Sequence, residues 1–85
     1  MSSIHVIYNG RNDDIGMEQL FTEDRREVIG LAEGTALVAS NLVEGQIKQA
    51  LALYYDVGVG EFGDHFVEIN PNGNITVRPS TPFGS

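Results

Sequence analysis

The chain has 85 residues, 41% hydrophobic and 20% charged, with no cysteine and a formal net charge of −7. That length makes one small domain, which buries roughly 60–65% of the surface its unfolded form exposes, and the composition is globular rather than disordered. Lack of cysteine excludes a disulfide framework and a thiolate ligand or nucleophile, while twelve acidic residues against five basic ones disfavour nucleic acid, whose phosphates require clustered Lys and Arg.

No apolar run is long enough to span a membrane. Met1-Ser2-Ser3 leads straight into an apolar stretch, without the basic start of a signal peptide, so a cytoplasmic protein is expected. The acidity reads first as solubility, with a basic partner or DNA mimicry as alternatives.

Ile4–Tyr8, "IHVIY", is β-branched and aromatic and ends at Asn9-Gly10. Its apolar residues point to both sides, as in a central strand covered on both faces. "RNDDIG", Arg11–Gly16, is read as a polar loop. Met17, Leu20 and Phe21 follow as an apolar patch without a clear period. Thr22 is a good N-cap, with Glu23 and Asp24 where a helix dipole favours carboxylates. A short helix over Thr22–Ile29 is expected, closed by Gly30, with Phe21, Val28 and Leu31 as its apolar stripe.

"TALVAS", Thr35–Ser40, reads as a second strand. The strongest helix follows, over Asn41–Asp56. Asn41 caps it, and Glu44 three residues on completes a capping-box-like pair. Val43, Ile47, Ala50, Leu51 and Tyr54 recur at helical spacing, with Gln46, Lys48 and Gln49 mostly away from that stripe.

The last regular feature is "EINPNGNITVRP", Glu68–Pro79. A two-residue Asn72-Gly73 loop would set Val67 and Ile69 against Arg78 and Thr76, splitting the apolar set between faces. A three-residue loop, Pro71-Asn72-Gly73, pairs Ile69 with Ile75 and Val67 with Val77. Pro71 suits the first central position of a type I turn, and Gly73 the left-handed bulge after it. The three-residue loop is therefore expected. The Asn41–Asp56 helix would cover the resulting apolar face. The tail 80–85, "STPFGS", has no periodicity and is expected to be loose, leaving 1–79 as the domain.

Chemical motifs are sparse. Gly58-Val59-Gly60-Glu61-Phe62-Gly63 matches G-x-G-x-x-G, but it follows a helix and precedes a strand, the reverse of a dinucleotide loop. Consecutive Asn12, Asp13 and Asp14 lack the alternating ligands of a calcium loop. His5 and His65 have no partner at metal-ligand spacing, and no nucleophile elbow accompanies them. No catalytic residue, cofactor or metal is expected. Three residues are candidates for partner contact. They are Tyr55 beside the inward Tyr54, Phe83 as a lone aromatic in the tail, and Arg78 on the last strand.

Thr35–Val57, with "HFVEIN", "NITVRP" and "IHVIY" laid around it, resembles the strand-then-capped-helix unit of ubiquitin-like β-grasp proteins. The resemblance covers about two-thirds of the chain and implies a mixed sheet wrapped on one helix, serving in protein binding or conjugation. Asp13–Gly34 is longer than the tight hairpin that normally joins the first two strands. The chain also ends Phe83-Gly84-Ser85 rather than in the Gly-Gly that conjugated members use. No functional residue carries over.

The sequence thus points to an α+β domain: a small mixed sheet of three to four strands on one main helix, plus a short extra helix. The expected function is a non-catalytic protein-interaction module, acting through a protein partner or self-association, with no nucleic acid and no membrane. The alternative is a self-assembling structural subunit, of a virion or another large particle, whose C-terminal tail docks between copies. A small enzyme or ligand carrier is the third reading.

Overall fold

The computed structural model describes residues 3–32 and 34–79. It is an α+β domain with a four-stranded mixed sheet, β1 (Ser3–Tyr8), β2 (Arg11–Gly16), β3 (His65–Ile69) and β4 (Ile75–Pro79), in the order β2-β1-β4-β3. Two antiparallel hairpins, β1–β2 and β3–β4, meet along a central parallel pair, β1 with β4. Between the hairpins lie two short helices, α1 (Met17–Leu20) and α2 (Glu23–Val28), and the main helix α3 (Glu44–Tyr55). Single turns of 3₁₀ helix precede and follow α3, at Ala39–Asn41 and Val59–Phe62.

The expected register of the second hairpin holds: Ile69 pairs with Ile75 and Val67 with Val77. Asn70 N–H donates to Asn74 O (2.8 Å) and Gly73 N–H to Asn70 O (2.9 Å), which closes the three-residue loop. Gly73 stands at φ +89°, a conformation that costs a residue with a side chain. The short helix also forms as expected, with Thr22 Oγ1 accepting from Arg25 N–H (3.3 Å).

Several expectations are corrected. Arg11–Gly16 is a strand, not a loop. Asn9 (φ 53°) and Gly10 (φ 79°) both take the left-handed conformation of a two-residue hairpin turn, which folds the polar run back along β1. The one apolar residue within it, Ile15, lands opposite Ile4 in the core. β1 is central, yet only one face is covered: Ile4 and Val6 are buried, while His5 and Ile7 are half-buried. "TALVAS" forms no strand. Its chain runs irregularly into the 3₁₀ turn, where Asn41 Nδ2 donates to Ala36 O (3.0 Å). Asn41 is spent on that bond, so α3 starts later, with Val43 at the N-cap and its N–H donating to Gln46 Oε1 (3.0 Å).

The core lies between α3 and the inner sheet face. Ile4, Val6, Ile15, Ile75 and Val77 meet Ile47, Ala50 and Leu51, each nearly or completely buried. Each such branched side chain contributes about 1.5–3 kcal/mol by leaving water. Met17, Leu20 and Phe21 close one part of the layer and Phe62 another. Three residues placed on apolar stripes by spacing are exposed instead: Val28 and Val43 on the helices, and Ile69 on β3. The covering helix therefore does not reach the far end of the β3 strand.

Candidate functional site

The two outer strands of the sheet differ in chemistry. On β2, Arg11, Asn12, Asp13 and Asp14 follow in sequence, and most of their side chains are tied. Arg11 reaches Asp13 (3.7 Å), and His5 Nδ1 meets Asp14 Oδ1 (2.7 Å) across the strand pair. The Asp14 hydrogen bond raises the His5 imidazole above its ordinary value of 6.5. Asp13 lies opposite Val6, on the helix side, and accepts a 2.6 Å hydrogen bond from Tyr55 Oη. Burial first, and then this acceptor, push the Tyr55 phenol upward. Charge along an edge strand discourages pairing with another chain.

On β3 the sequence is "HFVEI", with no lysine and no proline. Phe66 is 53% exposed and Ile69 is 56% exposed. The ladder alternates from the Asn70–Asn74 bond, so Phe66 and Glu68 turn their backbone groups toward β4. His65, Val67 and Ile69 then turn their N–H and C=O groups outward, where no strand of the described residues follows. Side chains are available on both faces: Val67 and Ile69 on the helix side, Phe66 and Glu68 on the open side.

The start of β3 is anchored by an aromatic cluster. Tyr8 packs against Phe62 (centroids 4.8 Å apart) and Tyr55 (5.1 Å), and His65 sits edge-on to Phe62 (5.1 Å). Phe62 is fully buried, because the 3₁₀ turn after α3 carries it under the sheet. Both ring nitrogens of His65 are buried without a hydrogen-bond partner among the described residues, and the ring packs against Phe62 and Tyr8. Tyr8 Oη donates to Glu61 Oε1 (3.3 Å), and burial followed by that carboxylate raises its phenol.

Of the three candidate contact residues, Arg78 stands on the open face beside β3. Its Nε approaches Glu68 (3.4 Å) and its guanidinium lies over the Phe66 ring (5.7 Å). Tyr55 is half-buried on the other face, turned to Tyr8 and Asp13, and does not join Arg78. Phe83 and the tail 80–85 lie outside the described residues. Spacing overlooked the edge itself. It puts Ile69 on the face the helix covers, and only the strand order shows that β3 has one neighbour among the described residues.

A second apolar surface runs between α2 and α3, where the exposed Val28, Leu53 and Val59 surround a shallow groove of about 250 Å³. No three His, Asp or Glu side chains among the described residues gather as a metal site, and none of the described helices is long and apolar enough to cross a membrane. The chain matches no protein-family model, no curated protein and no solved structure.

Proposed function

We propose that this protein is a small non-catalytic protein-interaction module of the β-grasp kind, and that it binds by accepting an extended segment along the outer edge of β3. The single observation that carries the reading is the unequal treatment of the two sheet edges: β2 is charged and tied, β3 is bare and apolar. The outward N–H and C=O groups of His65, Val67 and Ile69 would supply affinity, and the side chains of Phe66, Val67 and Ile69 selectivity. The strand order, with a central parallel pair and one helix across the sheet, supports the β-grasp part of the reading.

The test is a display selection with random peptides of about ten residues, long enough for one strand and its flanks. Selected peptides should lose binding to Val67→Pro, which removes an outward donor without breaking a bond to β4. Ile69→Lys, at an exposed position, provides a second variant should the proline prevent folding. Peptides that bind both variants as well as the parent protein would place the contact elsewhere and overturn the proposal. A dimer that Ile69→Lys dissociates would instead favour the self-assembling reading.

A further inference from the structure

Building on that reading, we infer that the occupant of the β3 edge is an extended, basic segment of a different protein, apolar at alternate positions. Arg11 and Lys48 pair with Asp13 and Glu44, and Arg78 with Glu68. Arg25 donates to the carbonyls of Gln19 and Leu20, and Arg26 to that of Phe21, which satisfies the end of α1. All five cations are thereby engaged within the fold.

Not every carboxylate is matched in this way. Glu61 and Asp64 sit exposed at the end of the sheet where β3 begins, and among the described residues no Lys or Arg lies within ion-pair distance of either. Glu61 is held at that end by the Tyr8 hydroxyl, and Asp64 directly precedes His65. A strand laid along β3 would therefore pass apolar side chains beside Val67 and Ile69 and carry its flank into an uncompensated negative field. Lysine or arginine in that flank answers the charge; aspartate or glutamate is repelled.

A second copy fits the edge less well. Two β3 strands related by a two-fold axis at Val67 would set each exposed Phe66 ring opposite the Glu68 of the other copy, an apolar group against a carboxylate. Each copy would also bring a net charge of −7. A basic partner removes both conflicts.

Two synthetic peptides test this, sharing one alternating Val-Thr core and flanked at both ends by Lys-Lys or by Glu-Glu. At low salt the lysine peptide should bind about fivefold more tightly, the size that two exposed ion pairs supply. The advantage should shrink as salt is added, and should disappear in the double variant Glu61→Gln, Asp64→Asn. Equal affinity for the two peptides would overturn the basic partner and leave edge docking standing. Failure of both peptides to bind would overturn edge docking too. A dimer in sedimentation that Ile69→Lys disperses would overturn the inference in favour of a second copy.

Discussion

The two edges of this sheet solve one physical problem in opposite ways. A terminal strand leaves a row of backbone donors and acceptors without partners, and such a row recruits other chains. β2 manages this with Arg11, Asn12, Asp13 and Asp14, and fastens itself to the helix through the Asp13–Tyr55 hydrogen bond. β3 has only Glu68, already engaged by Arg78, and exposes Phe66 and Ile69. Stability alone gives no reason for the contrast, since a lysine at Ile69 would cost little. The proposed docking along β3 would account for that exposure.

Both hairpins share one anchor, the buried Phe62, which packs against Tyr8 on β1 and His65 on β3. Phe62→Ala should lose about 3–5 kcal/mol, the usual cost of deleting a fully buried phenyl ring. Denaturant unfolding measures it, and a loss below about 1 kcal/mol would show that the aromatic cluster does not hold β3 to the core. Tyr55→Phe should cost less, about 1–2 kcal/mol, by leaving a half-buried carboxylate without its donor. Its effect should be lopsided, with faster amide exchange along β2 and unchanged protection on β3. Ile69→Lys sharpens the contrast from the other side. It should alter stability by no more than about 0.5 kcal/mol, as at other exposed positions, while abolishing peptide docking.

The smallest effect concerns the His5–Asp14 pair on the open face. Folding raises the His5 imidazole above 6.5, so the pair stabilises the native state fully below that value. The contribution fades as pH rises through the folded-state value. Asp14→Asn should accordingly lower the urea midpoint at acidic pH and leave it unchanged once His5 is neutral in both proteins.

Much of the interior was legible from local chemistry. The register of β3 on β4 followed from Pro71 and Gly73 together with the need for one apolar face, and the α3 stripe Ile47, Ala50, Leu51 followed from helical spacing. β2 was hidden because its strand is built by the Asn9-Gly10 turn and by pairing with β1, while its own residues are those of a loop. Asn41 misled as a cap because its side chain had a competing acceptor, Ala36 O, that only the tertiary path supplies. The candidate site was the least legible. Phe66, Val67 and Ile69 have the same alternation whether a strand is central or terminal, so the number of neighbours is a fact of topology. Of the residues singled out for contact, Arg78 stands opposite Phe66 on the neighbouring strand, whereas Tyr55 bonds Asp13 on the opposite edge.

The most direct test is residue-resolved amide hydrogen exchange on the complex with a tight-binding, lysine-flanked peptide. If β3 is the receiving strand, the outward amides of His65, Val67 and Ile69 slow on binding, while those of Asn12 and Asp14 on the far strand keep their free rates. Slowing at Asn12 and Asp14, with His65, Val67 and Ile69 unaffected, would mean that the charged rim is the one that receives a partner.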